Sequence, residues 1–388
     1  MNRPVSTVTF VLAASMAIGC IDATPLTRAV VRTDSAGIEI VRSEGPDRSY
    51  DFPPRSESYL QDTDGTPYIF SGTTPQWVRT SRAAETFVIV TDKRAVARFD
   101  SLGRFSRLIG KHGRGPGEFL APLMMMLYED TIAVSDGFKR SLLRWSHFGD
   151  SLIAQITWPE DARVGRVYAV RGGDALSSSE GERAGAPVGT LGWSSDSAPL
   201  ITFPSPEVVL VTVPCRPGPL ERAAYFAPRF HVATAGSFTV TAGTARYEVW
   251  LLDEDGIARS IRRSYEERPP RASEVKLAAG SGFRTTMANG ARCSVSAREL
   301  IDSVGVAEVY PAIHGLSVTR DGSIWVSRTF TRNEIGDVDQ FAPDGSYLRT
   351  WRNAPLPLAS LPDGRLIVPR EDEYSGGTLL ELVRLPDA

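Results

Sequence analysis

Phe99-Asp100-Ser101-Leu102-Gly103 ends one apolar strand and turns the chain into the next, and the pattern returns along the sequence. Trp145-Ser146-His147-Phe148-Gly149, Trp193-Ser194-Ser195-Asp196-Ser197, Leu252-Asp253-Glu254-Asp255-Gly256 and Phe341-Ala342-Pro343-Asp344-Gly345 repeat it. Serine takes the glycine slot in the third copy. A short polar side chain caps its own turn, and glycine accepts the positive φ that a short hairpin needs. The anchors at 99, 145, 193, 252 and 341 are spaced by 46, 48, 59 and 89 residues. The first two steps match a four-stranded propeller blade of roughly 40–50 residues, and the last two carry insertions.

Upstream of the hairpins lie the strand-like runs Thr86–Val90, Thr131–Val134, Ser237–Val240 and Ser323–Val326. A sixth copy, Pro362–Val368, is followed by Leu379–Val383 and then by the end of the chain, so that copy lacks an outer strand. The run Gly37–Arg42 is placed to supply it. The pattern therefore predicts an all-β six-bladed β-propeller over residues 36–388, closed by pairing N-terminal with C-terminal strands. Such closure removes the open sheet edges that invite aggregation. The long step between blades four and five holds an insertion at about 269–311. Within it Ser296-Ala297-Arg298-Glu299 reads as a capping box and Gly305 as a stop, predicting a short helix over 297–304.

The first residues read as an address. Arg3 precedes the apolar run Val8–Ile18, which is too short to span about 30 Å of hydrocarbon and fits the core of a leader peptide over 1–19. Ala17-Ile18-Gly19-Cys20 resembles the bacterial lipobox, with Ala17 where leucine is more usual. That resemblance implies that Cys20 carries the lipid and becomes the mature N-terminus, with 20–35 as a tether. Ile21, where an aspartate would signal retention, points to the outer membrane, on its periplasmic or surface face, over the inner one. The two remaining cysteines, Cys215 and Cys293, either pair in an oxidising compartment or stay as buried thiols.

Charge narrows the partners. With 43 basic and 46 acidic residues the net charge is −3, which lacks the cationic footprint that nucleic-acid phosphates require. Only Lys93, Lys111, Lys139 and Lys276 are lysines.

Ile109-Gly110-Lys111-His112-Gly113-Arg114-Gly115-Pro116-Gly117-Glu118-Phe119, followed by Pro122, Ala133-Val134-Ser135-Asp136 and Arg140, is similar to the NHL repeat. The whole chain resembles six-bladed propeller lipoproteins of environmental bacteria, with their opening Asp34–Ser43 strand and late Gly322–Arg328 strand. The resemblance implies a fold and an address and supplies no reaction.

The glycine-rich run at 110–117 is expected to be a blade-to-blade crossover, because Pro116 and the strand-like sequence after Phe119 do not suit a phosphate loop. Asp136 and Arg140 are expected to brace a turn. Asp62-Thr63-Asp64-Gly65 and Asp253-Glu254-Asp255-Gly256 lack the later acid of a calcium loop and read as hairpin turns. His112, His147, His231 and His314 share no zinc spacing, although a propeller gathers ligands from distant blades in a way that spacing does not reveal. No nucleophile elbow occurs, so no catalytic, cofactor-binding or metal-ligating residue is assigned and no cofactor is expected. Met124-Met125-Met126 are assigned to core, and Trp77, Trp145, Trp193, Trp250, Trp325 and Trp351 to packing between blades. Trp325 and Arg328 are singled out as a ligand-facing pair near the channel.

The expected function is non-catalytic. A membrane-tethered propeller presents its face or channel to a small molecule, peptide, glycan or envelope protein. The alternatives are a scaffold subunit of an envelope complex and a metal-dependent lactonase- or lyase-like enzyme. An acidic or histidine cluster in the channel would mark the enzyme. Arginines and aromatic rings would mark an anionic or sugar ligand.

Overall fold

Each repeat folds into a four-stranded antiparallel sheet with strands A to D from the axis outward, and six such sheets follow one another around a ring. The computed structural model describes residues 29–386 except 36, 45–47, 54–55, 57, 72–76, 129, 147, 158–166, 172–173, 184–185, 194–198, 205, 207, 213–219, 237, 254–256, 287–291 and 329–334. Blade one is Val78–Thr80, Thr86–Val90, Ala95–Phe99 and Phe105–Ile109. Blade two is Pro122–Tyr128, Thr131–Asp136, Ser141–Ser146 and Ser151–Thr157, and blade three is Val167–Arg171, Asp174–Arg183, Ala186–Trp193 and Ile201–Pro204. Blade four is Phe230–Ala235, Phe238–Gly243, Glu248–Leu252 and Ile257–Arg262. Blade five is Gly315–Val318, Ile324–Ser327, Ile335–Phe341 and Tyr347–Pro355. Ala359–Ser360, Leu366–Glu371 and Thr378–Val383 give strands A to C of blade six. The B–C turns and D–A crossings share one face of the ring, called the entry face below.

Strand B explains why the repeat reads as solid apolar runs. All five residues of Thr86–Val90 and all six of Thr131–Asp136 are buried, because neighbouring blades cover both faces of the sheet. The largest side chains between the blades, Phe87, Phe99, Phe119, Phe341, Trp325 and Trp351, come from strands B to D and one crossover and are almost wholly enclosed. Each such burial stabilises the ring by about 2–3 kcal/mol. The three methionines are core as expected, but they enter three different apolar clusters: Met125 packs within blades one and two, and Met124 with Tyr168, Leu176 and Leu191 of blade three.

Closure differs from the expected scheme in one respect. The fourth strand of blade six comes from the N-terminal part of the chain, but it is Ile69–Phe70, aided by the backbone of Leu60, and not Gly37–Arg42. Ile38–Glu44 instead runs parallel to strand D of blade four, with Ile40 beside Ser260 and Val41 beside Ile261. Ala29–Ser35, expected to be tether, folds back on it as a hairpin. Ser49–Asp51 then runs parallel to strand D of blade five. The segment 29–70 thus forms a belt around three blades. A two-residue strand carries no periodicity, whereas Tyr68 and Phe70 bury their rings against Phe99, a tertiary gain invisible in local pattern.

Two excursions rise from the ring. Between blades four and five lie helix α1 (Ala272–Ala279), the hairpin Phe283–Thr286/Arg292–Val295, and helix α2 (Ala297–Val304). The predicted box is present: the Ser296 hydroxyl accepts the Glu299 amide at 3.2 Å, and the Glu299 carboxylate accepts the Ser296 amide at 2.8 Å. A second hairpin, Val208–Val211/Leu220–Ala223, precedes blade four and packs on α2 through Val211, Leu300 and Val304. Cys293 is buried in that cluster and is disulfide-bonded. Cys20 and Cys215, the other two cysteines, lie outside the described residues, as does the leader.

Candidate functional site on the entry face

Trp325 and Arg328 are placed by a structural repeat. Strand B reads Gly322-Ser-Ile-Trp-Val326-Ser-Arg328 in blade five and Gly364-Arg-Leu-Ile-Val368-Pro-Arg370 in blade six. Val326 lies opposite Asp339 and Val368 opposite Glu381, so each arginine reaches a carboxylate eleven residues ahead on strand C. Arg370 Nε bonds Glu381 Oε2 at 2.6 Å, and Arg328 Nε lies 3.3 Å from Asp339 Oδ2. Arg328 is therefore one half of an internal clasp. Trp325 is 1% exposed, packed against Trp351 and Val338, with its indole N–H donating to Thr319 Oγ1. Its ring reaches no surface on which a ligand lands.

The crossover between blades one and two is built as its glycines suggest. A side chain at Gly110 would lie 2.5 Å from the Phe119 ring, and one at Gly113 2.0 Å from the Glu118 carboxylate. Asp136 is fully buried, and its two oxygens accept four backbone amides: Leu120 and Ala121 from the crossover, Phe138 and Lys139 from the turn. Lys139 closes the lock by donating to the carbonyls of Gly115 and Glu118 at 2.9 and 3.0 Å. Asp136 is a brace, since neither oxygen is left for a ligand.

The axis of the ring holds a guanidinium. Arg79, on strand A of blade one, donates to its own neighbour's carbonyl at Val78 and reaches Thr234 on strand A of blade four, the opposite blade. Desolvation pushes its pKa down to about 10.

A cavity of about 290 Å³ opens on the entry face of blade four, beside its seam with blade five. The B–C turn of blade four contributes Arg246, Tyr247 and Glu248, and the chain leaving strand D contributes Arg262, Arg263, Tyr265 and Glu267. Its floor is a polar knot around Asp339, which has no exposure. Tyr247 and Thr350 hydroxyls each donate to Asp339 at 2.5 Å, and the Arg263 guanidinium, 2.5 Å from the same carboxylate, lies between the Tyr247 and Tyr347 rings. Burial, reinforced by the adjoining carboxylate, holds the Tyr247 hydroxyl well above its ordinary pKa. Glu248 accepts from Ser260 and Arg262 at 2.7 Å. Arg246 is exposed and makes no side-chain hydrogen bond or ion pair among the described residues.

The chain that lines this cavity leads on into the first excursion. Tyr265 donates to the Tyr310 carbonyl at 2.7 Å, and Arg268 forks onto Glu274 while lying 4.0 Å from the Tyr310 ring. His314 sits against Tyr310, with ring centroids 4.7 Å apart. Burial, with His231 beside it, lowers the His314 pKa to about 4, so the imidazole stays neutral. His231 and His314 begin adjacent inner strands, which their separation of 83 residues in sequence conceals. Among the described residues no three His, Cys, Asp or Glu side chains converge as metal ligands; His147 lies outside them. The cavity thus offers the Tyr265 ring, an open guanidinium and carboxylates for hydroxyl groups, while Tyr247 is buried in its floor. Sequence reasoning missed Arg246, Arg263 and Tyr265 because they come from a turn and an exit strand with no motif.

No family model matches the chain, and no curated protein matches it in sequence. Solved structures with six-bladed propeller-like folds do resemble it. One is a protein of Bacteroides fragilis described as exported, 13% identical, TM-score 0.48, covering 90% of this chain and 100% of that one. Virginiamycin B lyase from Staphylococcus aureus is 10% identical, TM-score 0.38, covering 82% and 99%. A gluconolactonase from Xanthomonas campestris is 12% identical, TM-score 0.38, covering 91% and 100%. Likenesses at this level carry no argument about activity.

Proposed function

We propose that the chain is a lipid-anchored envelope protein of the NHL-like propeller lipoprotein group, and that its propeller binds an acidic saccharide without transforming it. The leader at 1–19, the anchor at Cys20 and outer-membrane placement are part of that reading and rest on the lipobox-like Ala17–Cys20. The observation that carries the ligand class is the cavity on the entry face of blade four. Tyr265 supplies an amphipathic ring, Glu248 and Glu267 accept from hydroxyls, and Arg246 offers a charged fork to a carboxylate.

Calorimetric titration with uronate oligosaccharides tests it. Arg246→Ala is expected to weaken binding about tenfold, the usual worth of a charge-assisted hydrogen bond, while the melting temperature stays unchanged because Arg246 is exposed. Wild-type protein that gives no heat with any acidic saccharide overturns the ligand class. Consumption of the saccharide or of a lactone overturns the non-catalytic reading in favour of the enzyme. Growth in labelled palmitate tests the anchor, with label expected on wild type and lost in Cys20→Ser.

A further inference from the structure

Three of the four lysines, Lys93, Lys111 and Lys139, gather on the entry face of blades one and two. Arg94, Arg114 and Arg140 stand with them. The three loops that carry these residues form one surface: Arg94 meets His112, Lys111 lies 3.4 Å from Glu118, and Lys139 holds the Glu118 carbonyl. Among the described residues the opposing carboxylates are Asp62, Asp92, Glu118 and Asp136, and Asp136 is buried on backbone amides. Among the described residues, six cations against four carboxylates give a local +2 on a chain whose total is −3.

Aromatic rings flank this charge. Among the described residues the two most exposed large apolar side chains are Tyr374 at 99% and Phe138 at 78%. They cap the B–C turns of blades six and two, on either side of blade one. Tyr374 stands beside Glu371, Asp372 and Glu373, so the positive charge is confined to the Phe138 side. A bare phenylalanine among cations suits a bilayer interface, where the ring is buried and the cations meet phosphates.

The tether faces the same way. Ala29 pairs with Glu44 and Arg42 with Arg262, which puts the start of the hairpin on the entry face of blade four. Nine Cα steps separate Cys20 from Ala29 and span at most about 30 Å. If Cys20 carries the lipid, as proposed above, the entry face is turned toward the bilayer.

We propose that the entry face of blades one and two is a membrane-docking surface that binds the phosphate headgroups of anionic lipids, with Phe138 inserted at the interface. It uses none of the cavity residues and does not need the lipid to be tested.

Co-sedimentation of the chain from Cys20 onward, made without acylation, with vesicles is the experiment. Binding is expected to phosphatidylcholine vesicles containing phosphatidylglycerol and not to phosphatidylcholine alone, and to fall with salt. Arg114→Glu combined with Lys111→Gln should weaken it about tenfold or more, and Phe138→Ala several-fold, with melting temperature and saccharide binding unchanged. Equal binding to neutral and anionic vesicles, or indifference to the charge substitutions, overturns the proposal. So does polyphosphate displacing the vesicles from a protein in which Phe138→Ala changes nothing, because the partner is then a soluble polyanion. A failed saccharide titration with intact vesicle binding, or the reverse, separates this proposal from the ligand reading.

Discussion

On blades four, five and six the outer strands Ile257–Arg262, Tyr347–Pro355 and Thr378–Val383 are covered by chain from residues 29–70. On blades two and three Ser151–Thr157 and Ile201–Pro204 are the last strands of their sheets, and on blade one Phe105–Ile109 meets the belt only at its start, through Gln61. The belted half hides its backbone edges and pins the belt with buried ions: Glu381 takes Arg370 from its own blade and the Ser56 amide from the belt. Arg32 on the belt grips Asp344 of blade five. The bare half leaves Ile153 51% and Ile156 45% exposed on its outer strand, an edge that invites foreign pairing. It is held instead by short-range polar locks such as Asp136, whose partners all lie within sixteen residues. The same fold is closed by long-range contacts on one side and local ones on the other.

The sharpest way to break this contrast is Arg370→Ala. It leaves the buried Glu381 without its cation and should cost about 3–5 kcal/mol, read by urea denaturation with tryptophan fluorescence. A loss below about 1 kcal/mol would show that the belt is not pinned there. Asp136→Ala probes the bare half. Partial access of water to the turn should limit the loss to about 2–3 kcal/mol, with faster hydrogen exchange confined to 118–140 if the lock is local. Exchange that spreads to blades four to six would erase the distinction.

The third test titrates the seam of the belted half. The folded pKa of His314 lies near 4, below its ordinary 6.5, so the unfolded chain takes up the proton first. Stability is then full above pH 6.5 and falls as pH drops from 6.5 to 4, by on the order of 3 kcal/mol. His231, Glu274 and Arg268 surround the ring and set its charge environment. His314→Phe, which suits a site between Phe226 and Tyr310, should flatten the slope in that window; an unchanged slope assigns it elsewhere.

The ring and the belt also differ in how plainly they are written. The hairpins at Phe99 and Phe341, the crossover at 110–117 and the capping box at Ser296 were legible because each is held by its neighbours in sequence. Asp100 Oδ1 accepts the amides of Leu102 and Arg104, and Gly103 takes a φ of 81°. The clasps of blades five and six were legible in principle, as an arginine followed eleven residues later by an acid. The belt was not, and its strand went to the wrong blade, because Ile38–Glu44 has a pairing pattern that suits any open edge. The candidate cavity was illegible for a related reason: Arg246 and Tyr265 mean nothing until blade four's turn and exit strand are brought together.

Sequence alone determined the repeat, the blade number and the turns, since hairpin capping and strand burial act over a few residues and leave a period. Tertiary structure decided which edge the N-terminal strands cover, where Trp325 points and which side chains share a cavity. Those outcomes depend on contacts between residues hundreds of positions apart, such as Arg32 with Asp344, and no local spacing encodes which of several equivalent edges wins.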